Sequence, residues 1–464
     1  MAKPKFPVPV QKNEYYEIDI TGLGHEGEGV GKVEGFTVFV PRAVPGERVK
    51  AKITKLQKTY AFGRLIDTIT TSPDRAEPPC PIYHRCGGCQ MQHLSYEAQL
   101  RHKRQTVVDA LTRIGKLEGV TVHETLGMDE PWSYRNKAQV PLGEIDGRLA
   151  VGFYAPRTHE IIEMQGCPIQ HPYNDEIVHA TKEILQELGI KHYDEQTHTG
   201  LVRHIIGRVG FHTGETMVVL VTNGRKLPHV DALVSKLRER IPHLVSIIQN
   251  VNTQQTNVIF GRETITLWGS DSITDTIGEI KFDISARSFF QVNPVQTEVL
   301  YGKTLEYAQL TGAETVIDAY CGIGTISLFL AQKAKAVYGV EVVPEAIEDA
   351  KKNAALNGLE NAHFEVGGAE VVIPRWHSEG IKPDVIVVDP PRKGCEEELL
   401  QAIVEMKPER VVYVSCNPST LARDLRYLED NGFRTVEVQP VDMFPHTFHV
   451  ECVTMLVRKD QSEM

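Results

Sequence analysis

The 464-residue chain has no apolar run near the ~20 residues needed to cross a bilayer, which excludes a helical membrane protein. Its first residues, MAKPKFPVPVQKNEYYEIDI, hold two early lysines but no apolar core and no small-residue cleavage site, so no secretory signal is expected. The chain therefore reads as cytoplasmic. Cysteine is sparse, 8 residues at uneven spacing, which argues against a disulfide framework and for metal binding or catalysis. A positive balance is also missing: the net charge of −11 taken alone disfavours a polyanionic partner. The average hides a gradient, however. Residues 1–72 carry 11 Lys/Arg against 8 acids, and residues 80–119 have about three more bases than acids. The last ~150 residues hold about ten more acids than bases. Local charge sets phosphate attraction, so the N-terminal third is open to a polyanion. There is no internal repeat and no low-complexity tract, and the length suits about three domains.

What is present begins with short β-rich runs at Tyr15–Ile20, Phe36–Val40, Glu47–Leu56 and Ala61–Ile69, divided by Gly/Pro turns. About five strands in roughly 60 residues predict a small closed barrel over 9–71, since closure leaves no exposed edge. The stretch Gly24-His25-Glu26-Gly27-Glu28-Gly29-Val30-Gly31, with Phe36–Pro41 and Pro45-Gly46-Glu47, resembles a TRAM domain, an OB-like RNA-binding module. Residues 95–115 have helical apolar spacing, end at Gly115, and carry Arg101, Lys103 and Arg104 on a basic face. A solvated face is the expected fate of those charges, and this helix is free to pack on the catalytic part. Residues 72–285 read as a central mixed α/β domain, with a clear helix near Asn174–Leu188. From about 296 the pattern becomes regular β-α-β. Helix 296–310, strand Thr315–Asp318, helix Thr325–Lys333, strand Ala336–Val340 and helix Pro344–Asn357 are followed by strands Val385–Val388 and Arg410–Val414. Residues 286–464 are thus predicted to form a doubly wound, mostly parallel α/β sheet.

Cys80, Cys86 and Cys89 form a C-x5-C-x2-C run, and Cys167 follows in Gln-Gly-Cys167-Pro. Four thiolates suit zinc or an iron–sulfur cluster, and unligated buried cysteines remain the plain alternative. Three ligands from one loop and one remote ligand match the layout of a [4Fe–4S] cluster better than paired zinc ligands. Gly87-Gly88 would let the backbone wrap a bulky group. His84 and His93 read as ordinary polar loop residues.

The cofactor signal lies at Val316-Ile317-Asp318-Ala319-Tyr320-Cys321-Gly322-Ile323-Gly324-Thr325, where a strand ends and a helix opens. Ser327 replaces the third glycine of a dinucleotide fingerprint. Glu341, ending the next strand 23 residues after Asp318, suits a bidentate bond to ribose hydroxyls in NAD and SAM sites alike. The third strand separates the two. Val385–Val388 runs into Asp389-Pro390-Pro391-Arg392, an acid and two prolines where SAM methyltransferases hold the reacting group. Arg392 stands where an N-methyltransferase would place an aromatic residue.

Val412-Tyr413-Val414-Ser415-Cys416-Asn417-Pro418 puts a cysteine just past a buried strand. Carbon 5 of uracil is a poor nucleophile. A thiolate adding to C6 turns the ring into an enolate and places negative charge at C5. A base must then remove the C5 proton so that the thiolate can leave. Glu451 is the candidate, because an apolar strand-rich setting raises a carboxyl pKa toward neutrality. His446 and His449 are alternatives.

Together, Asp318-Ala-Tyr-Cys-Gly, Asp389-Pro-Pro-Arg, Ser415-Cys416-Asn417-Pro418 and Phe444-Pro-His…Glu451 resemble the RNA 5-methyluridine (uracil-C5) methyltransferase family. The TRAM-like segment and the cysteine run make it similar to the 23S rRNA branch over the tRNA branch. This resemblance implies a Rossmann-like SAM methyltransferase domain acting on 23S rRNA, with Cys416 as nucleophile and Glu451 as base. It implies SAM contacts from Gln291, Tyr320, Glu341 and Asp389, and [4Fe–4S] ligands at Cys80, Cys86, Cys89 and Cys167. Neither DNA nor a membrane is an expected partner, and a monomer is expected. Gly367-Gly368-Ala369-Glu370 departs from relatives that carry an acid or amide before the alanine. Rival readings are a tRNA uracil-C5 enzyme, a 5-methylcytosine enzyme, or a non-catalytic RNA-binding assembly factor. The cytosine enzyme would carry a cysteine at position 392, which is arginine here; Cys395 lies too far along.

Overall fold

The computed structural model describes residues 8–459. Strands Tyr15–Leu23, Gly29–Val33, Phe36–Val40, Arg48–Leu56 and Tyr60–Thr70 close into a barrel, as expected. Alternation turns Ile18, Val38, Val40, Val49, Ala51 and Ile53 inward and leaves the polar residues outside. Gly31 makes the closure possible, because a Cβ there would collide with the Ile18 side chain and the Asp19 carbonyl.

The second sheet has seven strands in the spatial order Glu263–Gly269, Leu244–Val251, Thr216–Thr222, Val202–Val209, Lys137–Ile145, Arg148–Tyr154, Ile161–Glu163. Helices Pro172–Glu187 and Val230–Arg240 pack on one face through Ile177, Ile184, Leu233 and Leu237. The other face offers Ile206, Met217, Val219 and Ile248 to the core of the catalytic part. This sharing holds the two sheets against each other.

The third sheet runs Ala362–Val366, Ala336–Glu341, Thr315–Ala319, Val385–Val388, Arg410–Ser415, Glu451–Arg458, Phe433–Val441, Thr121–Val122. Its first five strands are parallel, and Glu451–Arg458 lies antiparallel to both of its neighbours. Val385–Val388 is buried along its whole length, as a central strand covered on both faces must be. Chain order reverses at Thr315–Ala319, which opens a crevice beyond the carboxyl ends of the central strands. Among the described residues no helix is long and apolar enough to cross a membrane.

Helix Tyr96–Arg113 departs from the expected solvated face. Its Val107, Ala110 and Leu111 share a core with Leu421, Ala422 and Leu425 of helix Pro418–Asp430. Lys103 is fully buried and paired with the equally buried Asp442; its ammonium also donates to the Phe444 carbonyl at 3.0 Å. Tyr96 donates to the other Asp442 oxygen at 2.8 Å. Arg101 pairs with Asp74, and Arg104 donates to the Val122 carbonyl at 2.9 Å. Thr121–Val122 then joins the catalytic sheet as an edge strand. The catalytic layer therefore draws on a second chain segment besides 286–464: the sequence allows for packing of this helix on it, but not for the edge strand Thr121–Val122. Lys103→Met would leave Asp442 buried without its cation, at a cost of about 3–5 kcal/mol. Denaturant unfolding should show that loss, and Lys103→Met with Asp442→Leu should recover much of it.

Candidate active site

A cavity of about 900 Å³ lies over the carboxyl ends of the central strands and is lined by Asp318, Tyr320, Glu341, Glu370 and Asp389, among others. Three left-handed residues shape its floor: Tyr320 at φ 66°, Gly322 at φ 55° and Gly324 at φ 83°. Only Tyr320 is not a glycine, so its backbone strain is held by the strand before it and the helix after it. Glu341 accepts from the Gly322 amide at 3.3 Å and from the Val343 amide at 3.1 Å, which fixes its carboxylate at the cavity edge. Asp318 is buried and accepts from the Ser327 hydroxyl, but its second oxygen has no partner. Burial pushes the carboxyls of Asp318 and Asp389 up to about 7 each. An acidic, partly unsatisfied floor favours a cationic ligand such as a sulfonium. Gln291 is elsewhere: it is buried, its carbonyl accepts from Asn136 at 3.0 Å, and it does not line this cavity.

Cys416 follows the last residue of strand Arg410–Ser415, and Glu451 begins the neighbouring strand. Antiparallel register pairs Ser415 with Cys452, so the next step outward sets Cys416 opposite Glu451. Burial, then the charges of Glu451 and Asp389, push the Cys416 thiol up to about 11, while Arg392 pulls it down. Burial and Asp389 hold the Glu451 carboxyl well above the usual carboxylate range, again opposed by Arg392. Asn417 caps helix Pro418–Asp430 by accepting from the Ser419 amide at 3.0 Å. Its side-chain amide donates to the Arg392 carbonyl at 2.9 Å, and the Thr420 hydroxyl donates there at 3.2 Å. The turn bearing Asp389 and Arg392 is thereby tied to the turn bearing Cys416. His446 is occupied otherwise: it stacks on Trp132 with centroids 3.6 Å apart and its amide donates to Gln99 at 2.9 Å. Burial lowers the imidazoles of His446 and His449 to about 3 and about 4.

Cys80, Cys86, Cys89 and Cys167 are all free thiols and line one second cavity of about 470 Å³, together with Arg392, Phe444 and His449. Burial pushes Cys89 and Cys167 up to about 12 each, with mutual repulsion among the sulfurs adding to it. The Gly88 amide donates to the Cys86 sulfur at 3.3 Å. A Cβ at Gly87 would stand 3.3 Å from the Tyr154 carbonyl, a tight contact that a glycine relieves. Among the described residues, no three of His, Cys, Asp or Glu form a ready ligand set for a metal ion. His93 turns instead to the Tyr83 hydroxyl at 2.7 Å.

The strand order, the switch-point crevice and the acidic loops above it define a SAM-dependent methyltransferase. A TRAM domain model matches residues 9–66, a methyltransferase domain model residues 316–388, and a tRNA (Uracil-5-)-methyltransferase model residues 376–459. An "Uncharacterized RNA methyltransferase" of Halalkalibacterium halodurans is 60% identical, covering 98% of this chain and 100% of its own. One from Bacillus cereus is 57% identical over 98% of this chain and 99% of its own. The crystal structure of a Pyrococcus abyssi tRNA (uracil-54, C5)-methyltransferase in complex with S-adenosyl-L-homocysteine is similar at a TM-score of 0.77 and 29% identity. That likeness covers 95% of this chain and 100% of the other. The chain belongs to the RNA uracil-C5 methyltransferase family and is a SAM-dependent RNA (uracil-5-)-methyltransferase with a TRAM domain.

Proposed function

We propose that the chain methylates carbon 5 of uridine in 23S rRNA through a covalent bond between Cys416 and C6 of the base. The observation that supports this is the facing of Cys416 and Glu451 across the pair of strands Arg410–Ser415 and Glu451–Arg458, beside Asp389 at the edge of the donor cavity. In this reading the Cys416 thiolate adds to C6, and the electron pair moves toward C5 and O4 as the enolate forms. SAM, when bound, supplies a sulfonium methyl to C5. Glu451 then takes the C5 proton, the C5–C6 double bond re-forms, and the C6–S bond breaks to return the thiolate. Arg392, the cation beside both groups, offsets the charge that gathers there.

In the same proposal Glu341 binds the ribose diol of SAM and Tyr320 and Asp389 wall its cavity, while Gln291, which does not line that cavity, is given no contact. Glu341→Ala should weaken SAM binding about 10- to 100-fold, the usual worth of hydrogen bonds to a charged group, as read by calorimetry. The lining of one cavity by all four free cysteines supports a [4Fe–4S] cluster there, which would have to draw the sulfurs together, since among the described residues they do not stand as a ready ligand set. Bound there, it would cross-link the loop 80–89 to the turn at Cys167. Absorbance near ~400 nm and about four irons per chain would be the signature.

The choice of 23S rRNA rests on the family resemblance of the TRAM segment and the cysteine run. A tRNA substrate is the second reading, and the likeness to the archaeal tRNA enzyme over 95% of the chain favours it. Purified protein supplied with SAM and either 23S rRNA fragments or tRNA, followed by mass-spectrometric mapping of 5-methyluridine, decides between them. Methylation confined to tRNA would overturn the rRNA assignment.

A further inference from the structure

Four rings form a chain from the barrel to the catalytic cleft. His25, exposed on the barrel, meets Phe448 edge-on with centroids 5.8 Å apart. Phe448 lies 4.2 Å from His449, and His449 meets Phe444 at 6.0 Å. Phe444, Phe448 and His449 are only half-buried: Phe444 and Phe448 rest one side on apolar cores and leave part of each ring open. Phe444 and His449 reach the cavity that Arg392 also lines. The Arg392 carbonyl accepts from Asn417, the neighbour of Cys416, at 2.9 Å, so the chain of rings ends at the turn beside the nucleophile.

Beyond the four cysteines proposed to hold the cluster, the walls of that cavity carry the cations Arg135 and Arg392. No Asp or Glu lines it among the described residues, in a chain with a net charge of −11. Arg135 and Gln139 face the cavity, and Lys137, the first residue of strand Lys137–Ile145, stands between them in sequence without lining it. Lys137 sits directly across from Arg208 in the antiparallel pair. Arg208 spends its guanidinium on the carbonyls of Ala286 and Ser288, at 3.2 and 2.6 Å. The charges acting on Lys137 are those of Arg208 and Arg135, both positive. A buried strip of like charges is unfavourable by itself and becomes favourable when an anion enters.

We infer that the rings of His25, Phe448, His449 and Phe444 are the platform on which the RNA bases flanking the target uridine stack, while Arg135 and Lys137 hold their phosphates. Stacking rings opposite a cationic wall are the means by which proteins hold single strands, since every base offers a π-face. A base about to be attacked at C6 has to leave its stack, and rings beside the cleft replace the neighbours it loses. The inference rests on the covalent site proposed above, because it takes Cys416 as the end of the track.

The test uses the full-length protein and an RNA fragment that it methylates. Phe448→Leu keeps apolar volume and removes the ring; KM for RNA is expected to rise about tenfold, with kcat at saturating RNA held within about twofold. Phe448→Tyr should restore KM, and His25→Ala, on the exposed barrel surface, should raise it without lowering the melting temperature. Arg135→Gln with Lys137→Gln should reduce the slope of log affinity against log salt by about 1.4, or ~0.7 for each phosphate no longer neutralised. An unchanged KM and salt slope in these variants, with the wild type active, would overturn this inference alone. So would a KM rise that follows a lowered melting temperature and that tyrosine fails to reverse. A wild-type protein that methylates no uridine RNA would overturn the covalent site as well.

Discussion

Cys416→Ala is expected to abolish 5-methyluridine formation, a fall of about 10⁴-fold or more, while SAM binding stays close to wild type. The size follows from chemistry. Without addition at C6 there is no enolate, and C5 has too little electron density to take a methyl group. The selectivity follows from placement, since Cys416 stands at the end of the fifth parallel strand and is not among the residues lining the donor cavity. Labelled-methyl transfer and calorimetry on one preparation would measure both. Turnover by the alanine variant at the wild-type rate would eliminate the covalent route. The wild type should also show a pH signature. The active form is the thiolate, and burial with the nearby carboxyls pushes the thiol up to about 11. The reactive fraction therefore grows about tenfold per pH unit below that value, and kcat/KM should climb with pH across the neutral and mildly alkaline range. A flat profile would mean that a neighbouring base takes the thiol proton, so that the thiolate forms without help from solvent hydroxide.

Glu451→Gln has a different expected outcome. A carboxamide has the same shape but cannot accept the C5 proton, so the steps before proton removal proceed and the last one stalls. RNA should remain joined to the protein through Cys416 and survive denaturation, while turnover falls about 10²- to 10⁴-fold. A denaturing gel of protein mixed with labelled RNA and SAM would show the slow-moving band. Cys416→Ala with Glu451→Gln should lose it. Lost turnover without an adduct would place Glu451 before the methyl transfer. Undiminished turnover would assign the proton to another base, His449 being the nearest imidazole on the adjoining cavity wall.

Much of the fold was legible because its signals are local. The apolar run Val385–Val388 ending in Asp389-Pro-Pro, and the turn Gly322-Ile-Gly324 between strand and helix, each carry their meaning within ten residues. The barrel was legible for the same reason, as alternation broken by glycine turns. Other elements conceal themselves. Helix Ala369–Ser378 has Pro374 inside it, which reads as a breaker. Strand Phe433–Val441 includes Pro440 and shifts register between Thr435 and Glu437. Thr121–Val122 is two residues long and is a strand only because of what lies beside it. The basic face of helix Tyr96–Arg113 misled for a physical reason. A lysine is normally solvated, and nothing near position 103 announces an aspartate at 442. The site follows the same division. Cys416 and Glu451 could be named from their neighbours in sequence, whereas the ring chain from His25 to Phe444 exists only once barrel and catalytic loop have met.

That meeting has a consequence during synthesis. Lys103 and Asp442 are 339 positions apart, so at ~5–20 residues per second the helix bearing Lys103 emerges roughly 15–70 s before its partner exists. Through that interval an apolar stripe and a lysine destined for the interior stand in water, beside a loop of unpaired thiols. The nascent chain is thus most vulnerable over residues 80–113, in its first third. A fragment beginning at residue 286 would have no such wait, and would also never gain the helix that closes its outer face.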